Sequence, residues 1–433
     1  MPRLVRTFLA TAFVWFLRAQ VDTFWTWFQW RVWFHHPRTI GHDEKRLASG
    51  IAKLERVPYG PHRLEQLHKL EPDEEHAAQL ADAPCRHMLY AHGGGFVFAS
   101  SAVLLQSVTS FVRRGFTVYS MDYPLAPEDR FPTALISVLD CLHWIRETEG
   151  VERVVVLGDS AGASLVSMAA AIIMNDKLRR DFAQATARPE LESWSYPVIE
   201  RLGCLYGLLD QTSWRGRQLK QITMIENFLA EGGIASCLEL YASQSNVFEN
   251  RLCLMDIVDE IERFPRTLFI GGSQDPLVYS TVVAHEKLLT KNLDVHCKIY
   301  PARHGFFGVP LEWTFGAWRT DAQPAFELLA HFFEQPIEAV EANSALGPDA
   351  VDAERGSQTS RPAYQHIQGH RRRCSWDRTG QTCCSEDRGD FGLYALKAYD
   401  RIVSDLHSEA DDSDSDSTVS AEQVLRTTML RRR

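Results

Sequence analysis

Several common functional signatures are missing from this sequence of 433 residues. Its formal net charge is −10 and no long basic stripe crosses the central region, which argues against a nucleic-acid-binding surface. None of its nine cysteines pairs with another at metal-site spacing, and the odd, scattered set favours reduced, buried thiols. No internal repeat is found. The composition, 45% apolar and 24% charged, is ordinary for a globular protein of one or two domains.

Long hydrophobic runs are also absent, although the N-terminal segment comes close to one. Residues 7–17 are almost wholly apolar, but a spanning helix needs about 20 such residues and this run has 11. Seven aromatic residues follow within Phe24–Phe34, a pattern typical of a membrane interface. Three interpretations stay open for residues 1–38: a membrane-surface or lipid-droplet segment, a spanning anchor, or a cap over an active site. The predicted location is a membrane surface, such as the endoplasmic reticulum, or the cytoplasm.

The rest of the chain divides by composition into a folded domain and a tail. Residues 39–84 are polar and broken by prolines, and we expect helical pieces there. After them, apolar runs alternate with helical patterns, which predicts a mostly parallel sheet with helices on both faces. We therefore assign residues 39–338 to one α/β domain, with a helical cap inserted at about 175–262. Residues 339–433, with their clusters of acidic and basic residues, are predicted to form a mostly disordered charged tail.

Three further predictions concern residues outside the motifs. Residues 175–200 are expected to be irregular, and Leu202–Leu209 is expected to form the next strand. A short helix is predicted around Phe391–Leu406, inside the tail.

The most informative stretch is an apolar run followed by a Gly-x-Ser-x-Gly motif, in which Gly158, Ser160 and Gly162 are the fixed residues. Val154–Leu157 is typical of a strand buried on both faces, and the Ala-rich residues 161–173 predict a helix. The two glycines remove the Cβ atoms that would clash where strand and helix approach. Ser160 is thereby presented on a strained turn, the nucleophile elbow. Without that context, the motif would equally fit a glycine-rich turn with a surface serine.

Two further residues complete a predicted catalytic triad. Asp275 and His304 each follow a predicted strand, at the edge where open α/β sheets place their sites. Their order along the chain, Ser160 then Asp275 then His304, matches that of α/β-hydrolases. Ser160 would be the nucleophile, His304 the base that takes its proton, and Asp275 the group that orients the base. Taken singly, the histidine fits an ordinary loop residue and the aspartate an ordinary turn.

A His-Gly-Gly-Gly run after another predicted strand supplies an oxyanion hole. Because glycines leave backbone N–H groups accessible, we expect Gly94 and Gly95 to donate to the oxyanion, together with Ala161, which follows the nucleophile. His92 and Gly93 are expected to support the loop. A phosphate-binding role would need a Lys, Ser or Thr partner after the glycines, and the Phe-Val-Phe that follows offers none.

Five motifs in this order make the sequence similar to the hormone-sensitive-lipase-like family of esterases and lipases, including arylacetamide-deacetylase-like members. The motifs are His92-Gly93-Gly94-Gly95-Phe96, Asp122-Tyr123-Pro124-Leu125-Ala126-Pro127-Glu128, Gly158-Asp159-Ser160-Ala161-Gly162, Asp275-Pro276-Leu277 and His304-Gly305-Phe306. The resemblance covers roughly residues 85–335. It implies an α/β-hydrolase fold with a helical cap, and hydrolysis of carboxylic esters without a metal or an organic cofactor.

The sequence thus predicts a serine carboxylic ester hydrolase, of the EC 3.1.1 type, that forms an acyl-enzyme with small acyl esters or lipid-derived esters. Amide deacetylation would use the same residues and stays open. A catalytically silent ligand-binding protein on the same fold is the alternative of a different class, and the presence of His304 argues against it. Residues 210–262 show little of the family's pattern, so the cap and the acyl pocket are not defined by sequence.

Overall fold

One eight-stranded sheet organises the part of the chain that the computed structural model describes, namely residues 51–82, 85–101, 105–307, 322–335, 399 and 402–404. The strands are β1 (Ile51–Pro58), β2 (Gln66–Pro72), β3 (His87–Ala91), β4 (Thr117–Met121), β5 (Arg153–Asp159), β6 (Val198–Leu205), β7 (Arg266–Gly272) and β8 (Val295–Tyr300). Their spatial order is β1-β2-β4-β3-β5-β6-β7-β8. β2 pairs antiparallel with β1 and β4, and the other neighbours run parallel, so the predicted mostly parallel sheet is observed.

Helices occupy most of the connections between these strands. They are α1 (Glu74–Ala77), α2 (Leu105–Val112), α3 (Thr133–Glu147), α4 (Ala161–Met174), α5 (Asp176–Ala185), α6 (Glu190–Ser193), α7 (Met224–Tyr241), α8 (Val278–Thr290) and α9 (Gln323–Glu334). Short 3-10 helices lie at Ala78–Leu80, Val247–Asn250 and Leu254–Glu260.

The central strands are buried on both faces, which explains their unbroken apolar runs. Along β5, Val154 and Val156 belong to the hydrophobic core on one face of the sheet, and Val155 and Leu157 to the core on the other. Helices α3, α4, α5 and α8 cover the first face, and α2 and α9 cover the second. Because β3, β5, β7 and β8 run parallel, the residues that follow them emerge at one common edge of the sheet.

The expectation of helical pieces in residues 39–84 is wrong for most of the described part of that range. Ile51–Pro58 and Gln66–Pro72 form an antiparallel pair at the sheet edge, and only short helical turns follow them. β1 is largely exposed, and β2 buries only Leu67 and Leu70. So few buried positions leave little strand periodicity in the sequence. The pairing of β2 with β4, and of β1 with β2, decides the conformation.

The predicted cap insertion at about 175–262 is too wide, because β6 lies inside it and belongs to the central sheet. Residues 175–200 hold helices α5 and α6 rather than irregular chain, and the strand begins four residues before Leu202. Glu200 and Arg201 interrupt the apolar run and hid the start of the strand. Arg201 is buried in the sheet and donates to the carbonyl oxygens of Phe333 (3.2 Å) and Gln335 (2.6 Å). The excursion between sheet strands therefore runs over residues 206–265.

The two terminal segments fall mostly outside the described residues. All of residues 1–38 lie outside the described part of the chain. No helix within the described part is long and apolar enough to cross a membrane. Within the tail, Tyr399 and residues 402–404 are described, and they pack against the α/β domain. The Tyr399 hydroxyl hydrogen-bonds Nδ1 of His285 on α8 at 2.7 Å, and Ile402 is buried in the core beside it. The domain boundaries at 38 and 338 stay predictions.

The burial of Ile402 gives a prediction about the tail. We expect Ile402→Ala to lower the free energy of unfolding by about 2 kcal/mol, because the substitution removes apolar contacts and leaves a gap against the core. Urea denaturation of the full chain measures the effect. Ser404→Ala, at an exposed position of the same segment, is the matched control and should change stability by less than about 0.5 kcal/mol. Equal stability of both variants would mean that the segment does not stay docked in solution.

Candidate active site

The turn between β5 and α4 holds Ser160 in a strained backbone conformation, with φ 51° and ψ −116°. Its flanking glycines leave no room for a side chain. A Cβ added to Gly158 would lie 2.6 Å from the carbonyl carbon of Gly162, and one added to Gly162 would lie 2.6 Å from the carbonyl oxygen of His92. The sharp turn that the sequence motif predicts is therefore present, and the two glycines permit it.

The structure brings Ser160, His304 and Asp275 together in one chain of hydrogen bonds. Oγ of Ser160 lies 2.9 Å from Nε2 of His304, and Nδ1 of His304 lies 2.7 Å from Oδ2 of Asp275. The carboxylate can only accept, so Nδ1 carries the ring proton and Nε2 is left to accept the serine hydroxyl. Asp275 is 1% exposed, and its second oxygen accepts from the Leu277 N–H at 2.9 Å, which fixes the carboxylate in place.

The electrostatic surroundings of His304 favour its protonated form. Enclosure of the ring by protein lowers its pKa, but the charge of Asp275 and the hydrogen bond to it outweigh this effect and raise the pKa above 6.5. Asp159 contributes in the same direction. A histidine held this way can take a proton from the serine and keep it as a stabilised imidazolium.

The glycine-rich loop after β3 lies beside Ser160 and turns through two left-handed residues, Gly94 (φ 118°) and Gly95 (φ 59°). Gly93 approaches the elbow so closely that an added Cβ would lie 3.1 Å from Cβ of Ser160. Among the described residues, the backbone N–H groups of Gly94, Gly95 and Ala161 have no hydrogen-bond partner. Unpaired donors beside a nucleophile are what an oxyanion hole requires.

His92 is held as a structural part of this loop and is separate from the hydrogen-bond chain of Ser160, His304 and Asp275. Its Nδ1 donates to the Gly93 carbonyl at 2.6 Å, and its ring stacks on Tyr123 with centroids 4.4 Å apart. The Tyr123 hydroxyl donates to the His92 carbonyl at 2.6 Å. Burial lowers the pKa of His92 and so favours its neutral ring. This is the opposite of His304, whose surroundings favour the protonated ring.

Asp159, one residue before Ser160, is a residue of the candidate site that the sequence reasoning did not single out. It is 5% exposed, and its Oδ1 accepts from the Gly93 N–H and from the Tyr90 hydroxyl, both at 2.7 Å. Burial raises its pKa. The carboxylate thus ties the glycine-rich loop directly to the turn that carries Ser160. The only feature of the sequence that could have pointed to Asp159 is its place next to the motif serine. The sequence does not show what this carboxylate contacts.

This tie predicts an effect on rate. We expect Asp159→Ala to lower kcat by about 10²-fold with little change in KM, because the loop donors lose their position relative to the reacting carbonyl. Asp159→Asn keeps an oxygen that accepts from Gly93 and should lose less than about tenfold. Tyr90→Phe removes one of the two bonds and serves as the control. Steady-state kinetics on a soluble ester separates the three, and an equal loss in all of them would contradict the assignment to Gly93.

Helix α7, in the excursion between β6 and β7, covers the glycine-rich loop from outside. Tyr241 near its C-terminal end stacks on Phe96 with ring centroids 4.0 Å apart. Cys237 faces Gly95, where an added Cβ would lie 2.7 Å from the thiol sulfur. Arg130 fixes the end of the helix through the carbonyl of Leu240 at 2.8 Å. The excursion thus supplies a wall beside the donors of the candidate oxyanion hole.

No metal-binding arrangement is present among the residues that the structure describes: no three His, Cys, Asp or Glu side chains there are grouped to hold an ion.

Comparison with protein families identifies the fold. The profile of a family described as alpha/beta hydrolase fold matches residues 88–308, which is just over half of the chain and contains the whole candidate site. The chain belongs to this α/β-hydrolase family. The match confirms the predicted fold and the hormone-sensitive-lipase-like resemblance, and it places the chain among the hydrolases.

Solved structures with the same fold are distant in sequence from this α/β-hydrolase. Esterase B from Lactobacillus Rhamnosis is 16% identical, with a TM-score of 0.52 over 74% of this chain and 95% of the other. A hormone-sensitive lipase from a metagenome library is 21% identical, with a TM-score of 0.48 over 65% and 85% of the two chains. A structure from a study of two fungal esterases from Rhizomucor miehei is 22% identical, with a TM-score of 0.49 over 67% of this chain and 84% of the other.

Proposed function

We propose that this α/β-hydrolase is a serine carboxylic ester hydrolase in which Ser160, His304 and Asp275 form the catalytic triad. The observation that carries the proposal is the unbroken hydrogen-bond chain from Oγ of Ser160 through both ring nitrogens of His304 to Asp275. A nucleophile, a base within reach of its proton and a buried carboxylate on the far side of the base are the parts that acyl transfer needs.

In the proposed reaction, Oγ of Ser160 attacks the ester carbonyl while Nε2 of His304 takes the hydroxyl proton. The carbonyl oxygen becomes an oxyanion, which the N–H groups of Gly94, Gly95 and Ala161 stabilise. His304 then gives its proton to the leaving alcohol as the carbon–oxygen bond breaks, and an acyl-enzyme remains. Water, deprotonated by the same ring, attacks the acyl group, and the acid leaves as the proton returns to Ser160.

Asp275 acts on the ring and takes no proton in this scheme. Its carboxylate holds the tautomer with the proton on Nδ1, and its charge stabilises the imidazolium in both steps. Asp159 acts on the donors, since it accepts from Gly93 in the loop that carries Gly94 and Gly95. The proposed chemistry therefore rests on two buried carboxylates with different tasks, one for the base and one for the oxyanion loop.

The names of the solved structures support esters as the substrate class, because those proteins are described as esterases and lipases. Amide cleavage would use the same atoms and differ only in the leaving group, so it remains the second reaction to test. A silent binding protein is disfavoured, because a ligand-binding role gives no reason for a base placed 2.9 Å from the serine hydroxyl.

The test is hydrolysis of p-nitrophenyl esters with acyl chains of two to sixteen carbons, alongside the matching p-nitroanilides. We expect the purified full chain to cleave esters faster than anilides of equal chain length. A fluorophosphonate should abolish the activity and add its mass to the peptide that contains Ser160. Preference for anilides would indicate an amidase. Absence of both turnover and labelling would overturn the proposal.

A further inference from the structure

The outward face of the first turns of α7 carries a concentrated apolar surface. Met224, Ile225 and Phe228 are 75%, 71% and 74% exposed, and their spacing places them on one face of the helix. Among the described residues, the other large apolar side chains that are exposed are Leu54 and Val198, which lie on different strands. We call Met224, Ile225 and Phe228 the α7 patch. Single exposed apolar residues are normal, whereas three on one turn are not.

The α7 patch lies at the rim of the candidate active site. Glu226, in the same helical turn, forms an ion pair with Arg303 at 2.8 Å, and Arg303 directly precedes His304. The far end of the helix contacts the glycine-rich loop through Tyr241. A surface bound to the patch would therefore sit next to the site that the substrate must enter.

The start of α7 is held in a defined position, so the patch is presented by a rigid element. Thr223 and Glu226 form a capping box, in which the Thr223 hydroxyl accepts from the Glu226 N–H at 3.2 Å and the Glu226 carboxylate accepts from the Thr223 N–H at 2.8 Å. Asn227 donates to the carbonyl of Arg217 at 2.7 Å, which fixes the preceding loop against the helix. The exposure of the patch is thus not a result of fraying.

The size and the surroundings of the patch indicate what binds it. Its three side chains offer on the order of 400 Å², about half of what one partner contributes to a stable protein interface. Insertion into a lipid surface needs no such area and is favoured by cations beside the apolar residues. Arg215 and Lys220, in the segment that leads into α7, are exposed and supply positive charge against the overall net charge of −10. This charge complements an anionic lipid surface.

We propose that the α7 patch docks the enzyme on the surface of an aggregated lipid ester, so that substrate enters the site from that surface. The proposal rests on the proposed ester hydrolysis and adds to it the physical form of the substrate. Met224, Ile225 and Phe228 insert among the acyl chains, and Arg215 and Lys220 contact anionic groups at the interface. Soluble, monomeric esters reach the same triad without the patch.

The experiment compares the full chain with the triple variant Met224→Gln, Ile225→Gln and Phe228→Gln, and with the matched control Leu54→Gln and Val198→Gln. Flotation with vesicles of phosphatidylcholine containing phosphatidylserine measures docking. Hydrolysis of tributyrin below and above its solubility limit measures its consequence. We expect the triple variant to lose at least tenfold in vesicle partitioning and in rate on the emulsion. Its rate on dissolved p-nitrophenyl acetate should stay within twofold of the full chain. The control variant should match the full chain in all three assays.

Other outcomes decide against the proposal. Unchanged flotation and unchanged emulsion rate in the triple variant would overturn it. A fall in molecular mass from dimer to monomer would instead assign the patch to contact with a second copy of the chain. If no protein hydrolyses dissolved esters, the unmodified chain included, the proposed ester hydrolase activity is refuted. This outcome is distinct from a docking defect.

Discussion

Ser160→Ala is expected to lower kcat for p-nitrophenyl ester hydrolysis by about 10⁴- to 10⁶-fold. Without Oγ there is no atom to form the acyl-enzyme, so the two-step route is lost completely. His304 and the loop donors remain, and they leave a residual rate above that of water.

The structure makes this substitution a clean test of chemistry. Ser160 is 8% exposed, and alanine fits the space that its side chain occupies without adding an atom. The strained φ of 51° does not depend on the hydroxyl, because the backbone of the turn is held by the bond from the Ser160 N–H to the Leu205 carbonyl at 2.8 Å. We therefore expect folding to be unaffected.

The measurement needs two controls, one for a serine-to-alanine change outside the site and one for the stability of the variant's fold. Ser193→Ala, at a serine that is exposed on α6, should leave kcat unchanged. Thermal unfolding of Ser160→Ala should match that of the unmodified chain. If Ser160→Ala kept more than about a hundredth of the rate, another nucleophile would have to act, and the proposed triad would be wrong.

The sequence predicted the parts of the fold whose signals are local. The strand at β5 and the helix at α4 follow from an unbroken apolar run, a glycine turn and an Ala-rich segment, and both are present as predicted. The strand predicted before His304 is present as β8, because its short apolar alternation is intact. The parallel arrangement follows from the alternation of strands and helices.

Elements whose signals are not local escaped prediction. β2 becomes a strand through pairing with β4, and β1 through pairing with β2, while most of their own residues are exposed or half-exposed. β6 was predicted only from Leu202, because the missed first part of the strand holds a buried arginine. The carbonyl partners of this arginine lie at residues 333 and 335, more than a hundred positions away in sequence. Because its partners are so distant, a sequence-based prediction assigns such a buried charged residue to a loop.

The same distinction applies to the candidate site. Residue types and their order pointed to Ser160, Asp275 and His304, and the structure brings these three side chains into contact. The role of Asp159 depends on its reach to Gly93, 66 positions earlier, which no local pattern records. The α7 patch was not predicted from the sequence for another reason. Met224, Ile225 and Phe228 look like the core face of a helix, and only the structure shows that this face is turned to solvent.

Asp275→Asn should lower kcat by about 10⁴-fold while the site keeps its shape. Asparagine has the same size as aspartate, so the side chain can remain buried beside His304. Its amide N–H would now face Nδ1 and donate to it, which moves the ring proton to Nε2. In that tautomer Nε2 cannot accept the proton of Ser160, and the imidazolium that forms during reaction loses its neighbouring negative charge.

The pH profile separates this explanation from simple damage to the site. In the unmodified chain His304 must be neutral to act as a base, so kcat/KM should fall as pH drops through a pKa that Asp275 holds above 6.5. Asparagine removes the charge that raises this pKa, while enclosure of the ring, which lowers it, remains. The acidic limb of the profile in Asp275→Asn should therefore move to lower pH, together with the fall in its plateau.

Asp181→Asn is the matched control, because it makes the same chemical change at a surface ion pair with Lys177. It should alter neither the plateau nor the limb. A variant at Asp275 that lost rate and kept the limb where it was would show that the carboxylate does not set the pKa of His304. The hydrogen bond of 2.7 Å between them would then serve only to position the ring.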